Sequence, residues 1–309
     1  MKTGRLKYYL AAIISVVTWG FFSIPLRKIQ HYPSDEILYY RIFTSLVFTW
    51  VFIALFRTKH LKSDLNYFYS LSKGGRRRII ILCLISGVLI SGNWFTYIYA
   101  VNNVNLKSAA FAYMVCPLIT AFAGFMILKE KLSVLKLVAL GIALFSIIIL
   151  AQGSLRDVLW SVFIAALYSF FLIAQKSMSR MDKFNMLGLQ LLIAAILMFP
   201  FYVYSFKSFP FDTYFWTDII IISIFFTIIP LFLSLYALIG MPSSTLGIII
   251  YLNPIVAFAV AFFYFHEGIS LHQVYAYSLL LAAVIVFNWN TIKEIVFKIP
   301  AAELSEITP

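Results

Sequence analysis

Residues 117–133, PLITAFAGFMILKEKLS, and residues 254–270, PIVAFAVAFFYFHEGIS, each open on a proline, reach a glutamate thirteen positions later and close on a serine three beyond it. Pro117, Glu130 and Ser133 thus recur as Pro254, Glu267 and Ser270 at a constant offset of 137. Each proline lies inside an apolar run long enough to cross a bilayer, and each glutamate stands where that run ends. Proline in a helix interior removes an amide donor and displaces the carbonyl four residues before it, here those of Tyr113 and Ile250. In lipid such a carbonyl has to be met by protein or by a wet cavity. Paired interrupted segments in the two halves of a chain are the sequence pointer to a transporter's substrate path, so both prolines are candidate hinges lining one.

Composition supports a membrane setting. Of 309 residues, 62% are hydrophobic and 12% charged, with a mean hydropathy of +0.94. A soluble domain would be roughly half apolar and about a quarter charged, so the excess must face lipid. The net charge of +12 would suit a nucleic acid. However, the Lys and Arg lie mostly in short segments between apolar runs, with no basic face carrying interleaved aromatics, and nucleic-acid binding is excluded. Cys83 and Cys116 sit inside apolar runs, offering neither a disulfide framework nor metal spacing; they are expected to behave as small hydrophobes. Lys2, Arg5 and Lys7 ahead of Tyr8–Leu26 imitate a signal peptide. That run is too long, contains Trp19 and lacks a small-x-small cleavage site, so it is expected to remain as a first span.

Ten stretches approach the roughly 20 apolar residues a spanning helix needs: roughly 8–26, 37–56, 79–101, 108–128, 135–151, 158–175, 186–206, 217–239, 244–265 and 271–289. The one longer connection, 57–78, is polar and basic and reads as a loop. With the N-terminus inside, the inner segments carry 18 of the 24 Lys and Arg residues and the outer loops five. This bias predicts both termini in the cytoplasm. Five spans per half is an odd number, so the second half enters the membrane from the opposite side. The expected fold is therefore an all-α integral membrane protein of ten transmembrane helices in two inverted repeats. The repeats are expected at 1–153 and 154–295, with a short cytoplasmic tail at 296–309. Further correspondences agree: Tyr99-Ala100 with Tyr236-Ala237 at offset 137, and Trp19, Phe21-Phe22 and Arg27 with Tyr168, Phe170-Phe171 and Lys176 at offset 149.

Few polar groups lie deep in these segments. Arg41 falls about one turn inside the second. A charge there is costly unless functional, paired or snorkelling; it is expected either to anchor an anionic group or gate the outer entrance, or else to reach outward, with Glu36 five residues earlier helping to neutralise it. Trp19, Asn93, Trp94, Tyr97 and Tyr113 are expected on one side of a central polar-aromatic cavity, and Tyr168, Gln190, Tyr236, Tyr251 and Asn253 on the other. Taken singly, each could equally be interhelical glue. Glu130 and Glu267 read as solvated helix ends or, with His266, as proton-coupling groups. No catalytic motif is present, and no cofactor or metal is expected.

Trp19-Gly20, Glu36, Arg41, Asn93-Trp94, Tyr97-Ile98-Tyr99-Ala100 and the two Pro…Glu elements resemble the RarD-type branch of the drug/metabolite transporter superfamily, also called the chloramphenicol-sensitive protein family, over nearly the whole chain. The resemblance implies two EamA repeats and permease activity in the inner (plasma) membrane. The second half departs from the first at Ser169, which stands where the first has Gly20, and at Glu267-Gly268. The resulting expectation is a permease for small organic metabolites or drugs, working by alternating access in the export direction. Its partners are the bilayer and a small-molecule substrate, and monomer and homodimer both remain open. The rival expectations are a membrane enzyme acting on lipid-linked substrates and a non-transporting scaffold or sensor.

Overall fold

The computed structural model describes residues 3–103, 106–150, 155–178, 180–206, 209–266 and 271–296. Glu267, Gly268, Ser270 and the tail from 297 onward lie outside the described residues. Every regular element among those described is helical. In chain order they are α1 (Thr3–Gly20), α2 (Ser23–Lys28), α3 (Ser34–Phe56), α4 (Thr58–Ser70), α5 (Lys73–Asn103), α6 (Leu106–Leu128), α7 (Val134–Leu150) and α8 (Leu155–Ser177). There follow α9 (Lys183–Ser205), α10 (Thr213–Ser223), a π-helical turn at Ile224–Ile228, α11 (Ile229–Gly240), α12 (Ser243–Ile249), α13 (Leu252–Phe263), α14 (Leu271–Phe287) and α15 (Trp289–Val296).

Six helical stretches are long and apolar enough to cross a membrane: Leu6–Lys28, Asp35–Phe56, Lys73–Tyr97, Leu159–Ser177, Lys183–Ser205 and Thr213–Gly240. Four shorter apolar helices accompany them: Tyr113–Leu128, Val134–Ile149, Ser243–Ala257 and Val274–Phe287. Their outward faces expose Leu55, Phe56, Phe122, Phe145 and Ile196. So much apolar surface would be a liability in water and is what a helix shows to lipid.

The segment 57–78 is not a loop. It folds as α4 and the first turns of α5, because Leu61, Leu65 and Phe68 fall at helical spacing among the charges. Leu61 packs on the main core. Buried Asp64 fastens α4 to the start of α9, accepting from the Asp182 amide at 3.1 Å and from Asn185 Nδ2 at 2.6 Å. Arg57 adds a 2.6 Å ion pair to Asp182.

The two halves do not fold as separate bodies. Helix α1 packs on α11 and α13, and its counterpart α8 packs on α5 and α6; α3 pairs with α9, and α7 with α14. The main core is correspondingly shared, combining Ala12, Val16, Ile90 and Cys116 with Tyr168, Leu187, Leu235 and Leu246. Gly20 and Ser169, at offset 149, show how each crossing is made. A Cβ on Gly20 would lie 2.5 Å from Val256 Cβ, so only glycine lets α1 approach α13 just past Pro254. Ser169 Oγ instead donates to the Cys116 carbonyl at 3.0 Å, just before Pro117.

The prolines act differently from the sequence reading. Helix α6 runs unbroken through Pro117. The corresponding segment of the second half does break, at Ile250–Tyr251, and Pro254 becomes the third residue of α13, where its missing amide would have had no intrahelical partner. The Ile250 carbonyl displaced by that ring accepts instead from the Asn253 amide at 2.9 Å. A further proline follows the same rule. Pro230 denies a donor to the carbonyl of Phe226, four residues earlier, and the chain there forms the π-helical turn. Trp19 Nε1 supplies the missing donor across the two halves at 3.0 Å. Ser15 Oγ, one turn away, donates to the Pro230 carbonyl at 2.6 Å.

Trp19→Phe would leave the Phe226 carbonyl without a donor, at a cost of about 1–3 kcal/mol for a buried unsatisfied group. A lower melting temperature of the purified protein is expected. In a Pro230→Ala background, where residue 230 regains its amide, the same substitution should cost much less, so the two changes should be strongly non-additive.

Candidate functional site

Arg41 lies two turns into α3, and its carbonyl accepts from Ser223 Oγ at 3.2 Å, just ahead of the π-helical turn. Its guanidinium is deep inside the protein and sits over Trp94 at 4.9 Å and Phe22 at 5.6 Å from the ring centres. Tyr97 and Tyr113 are the titratable side chains nearest its charge, and their own rings lie 5.6 Å apart. No described carboxylate comes within ion-pair distance of Arg41. The expected neutralisation by Glu36 is therefore absent, and the side chain lies on aromatic faces inside the bundle rather than reaching outward. Its Nε is buried without an acceptor, yet the residue as a whole keeps partial exposure, as do Trp94, Tyr97 and Tyr113. The four side chains are thus enclosed by neighbouring helices without being fully sealed by them.

The other candidates divide by what they touch. Trp19 meets Tyr168 edge-on at 6.1 Å and packs on the same core as Trp94, Tyr97, Tyr113 and Tyr236. Asn93 and Gln190 are almost wholly buried. Asn93 Nδ2 donates to the Ile164 carbonyl at 2.9 Å, which is interhelical glue. The Gln190 amide is buried with no hydrogen bond, as is that of Gln175, a residue the sequence reading passed over. The Tyr168 hydroxyl lies near Ser234 without a well-aligned hydrogen bond. Tyr251 is fully buried in a second cluster with Met114, Ala139 and Leu280, away from Arg41. Tyr236 packs against Tyr8 with the rings tilted and 5.2 Å apart, and Asn253 is half-buried beside Gly20. Pro117 and Pro254 are both buried.

At the far end of α6, Glu130 is half-buried and engaged by the second half rather than left as a free helix end. Its carboxylate accepts from the Ser243 amide (2.7 Å), Ser243 Oγ (2.8 Å) and the Ser244 amide (3.0 Å), capping the first turn of α12 in the other half. Burial works against its ionisation, but the hydrogen bonds from Ser244 and Ser243 outweigh it and hold the carboxyl below the usual carboxylate range. Lys176 closes the preceding helix in the opposite sense, donating to the carbonyls of Leu238 (2.5 Å) and Met241 (2.7 Å) at the end of α11. Anion at the helix start and cation at the helix end each match the local dipole. Lys129 and the exposed His266, again 137 apart, both adopt positive φ (57° and 53°). They end α6 and α13 by the same left-handed turn, which gives His266 a conformational role. A cavity of about 620 Å³ beside this end is lined by Tyr9, Lys131, Lys136 and Asn288, among others, and shares no residue with the Arg41 cluster.

Among the described residues no group of His, Cys, Asp or Glu could hold a metal. Sequence reasoning also missed Phe22, Lys176, Ser243 and Pro230. The proline rule applied to Pro117 and Pro254 would have found Pro230. The partners of Arg41 and Glu130 left no local trace.

Comparison with known proteins accords with this architecture. A crystal structure 15% identical in sequence superposes with a TM-score of 0.70, covering 92% of this chain and 98% of that one, and so has the same fold. The uncharacterized transporter YojE of Bacillus subtilis is 29% identical over 91% of this chain and 93% of its own length. Protein RarD of Escherichia coli is 26% identical over 92% and 94%. The first name is that of a transporter, and neither is that of an enzyme. The model of the EamA-like transporter family matches twice, over residues 6–152 and 156–289. With two such repeats spanning nearly all its length, the chain is a membrane transporter belonging to the EamA-like transporter family.

Proposed function

We propose that the protein is an inner-membrane permease that exports small organic metabolites or drugs by alternating access. The observation that carries this reading is the partly exposed cluster of Arg41, Trp94, Tyr97 and Tyr113 at one end of helices whose other end is tied by Glu130 and Lys176. A polar-aromatic cluster that is incompletely closed at one end of helices tied together at the other is what one half-cycle of alternating access requires. The six long and four shorter apolar helices support a ten-span chain, and the 18-to-5 distribution of basic residues favours both termini in the cytoplasm. With the repeats divided at 153/154, the second is inverted relative to the first. Glu130 and Lys176 then form an inner closure between the repeats, and Arg41 faces the outer half of the path. The break at Ile250–Tyr251 is the hinge of the second repeat.

Proteoliposomes containing the protein should accumulate or release members of a broad metabolite panel faster than protein-free vesicles; equal rates across the panel would count against a permease. Pro254→Ala, which restores an amide donor to the broken segment, is expected to slow that transport severalfold. Pro117→Ala should change it little, because α6 is already continuous.

The pH dependence discriminates a latch from a coupling group. Glu130 titrates lower in the folded protein than when unfolded. Its stabilisation is therefore complete above the ordinary carboxylate pKa of about 4.3 and is lost only as pH falls through the lowered folded value. Between about pH 6 and 8 it contributes no pH dependence. Glu130→Gln is accordingly expected to alter the transport rate but not the shape of its pH profile. A profile flattened by the substitution would make Glu130 a coupling group.

A further inference from the structure

We infer that the Arg41 cluster is an anion-binding subsite, and that the substrates are organic monoanions carrying a carboxylate on an aromatic or bulky apolar body. The inference rests on the permease reading and narrows it to a substrate class.

A guanidinium inside a membrane protein is costly unless paired. Arg41 meets aromatic rings and tyrosines but no carboxylate among the described residues, and its Nε donor is buried and unused. Cation–π contacts offset part of that cost but leave the donors of the fork unfilled. A ligand carboxylate would supply both the missing charge and the missing acceptors, and the planar fork suits its two oxygens. The single cation argues against a dianionic phosphate, since no Lys or second Arg flanks it among the described residues. The rings of Phe22, Trp94, Tyr97 and Tyr113 provide flat apolar walls with two hydroxyls, fitted to an aromatic or apolar body. A cationic ligand would meet Arg41 without a compensating acid. The Ser223 contact to the Arg41 backbone fixes the subsite to α10 beside the π-helical turn, where a change in helix geometry would move it.

The test pairs acids with their neutral isosteres: phenylacetate against phenylacetamide, and indole-3-acetate against indole-3-acetamide. Binding is read by thermal shift and by calorimetry on the detergent-purified protein, and transport in proteoliposomes. The acids are expected to bind about 10- to 100-fold more tightly than the amides, the factor for a hydrogen bond to a charged group. Arg41→Gln should remove that preference while leaving the weak amide binding and a cooperative melting transition intact, so loss of binding cannot be mistaken for loss of fold. Arg41→Lys, which keeps the charge but not the fork, should retain part of the preference. Acids and amides that cannot be told apart in the wild type, or an acid preference that survives Arg41→Gln, overturn the inference. Transport indifferent to charge overturns it while leaving the permease reading standing. Charge-selective binding with no transport of any compound supports the subsite and sinks the permease reading.

Discussion

The arrangement depends on one constraint: inside a bilayer, every backbone carbonyl that loses its helical donor must find another. Pro230 and Pro254 show how this chain meets that need, once from across the molecule and once locally. Trp19 reaches the Phe226 carbonyl that Pro230 orphans. Ser169 makes a further bond between the halves, to the Cys116 carbonyl beside Pro117. At Pro254 the chain answers locally, by breaking the helix and closing a short turn through Asn253. The first span of each half is thus bonded to the other half, α1 at the π-helical turn and α8 beside Pro117, and this holds the two repeats as one body.

That arrangement produces two ends of different character. At the Glu130 end, charges sit where helix dipoles want them, and a carboxylate and an ammonium satisfy backbone groups of the second repeat. These contacts are numerous and mutually compatible. Toward the other end, Arg41 is held among aromatic rings with its charge uncompensated. Strongly satisfied polar groups serve structure, and an unsatisfied one deep inside a stable fold is where a ligand has something to add.

The matched prolines mislead if they are treated as equivalents. Pro117 sits inside a continuous helix, and Pro254 just past a break. The difference tracks their neighbours. Gly20 allows α1 to press directly on the backbone near Pro254, while Ser169 keeps a hydroxyl between α8 and the turn before Pro117. The departure visible in the sequence, serine where the first half has glycine, thus falls at both crossings.

Apolar runs, their duplication, the charge bias and the prolines were legible in the sequence alone, because each is a local property of composition or spacing. The helical nature of 57–78 was legible too, in the spacing of Leu61, Leu65 and Phe68, had its charge not masked it. The pairings were not. Trp19 bonds a residue 207 positions away and Glu130 one 113 positions away, and Arg41 stands out because no carboxylate among the described residues arrives beside it. Which donor meets which acceptor depends on how helices pack, and packing is set by the sum of many weak contacts that no short pattern encodes. The sequence therefore determined that this is a duplicated membrane protein with interrupted helices. Only the tertiary structure decided that Glu130 is a cap, that Pro117 lies in an unbroken helix, and that Arg41 meets aromatic rings but no carboxylate among the described residues.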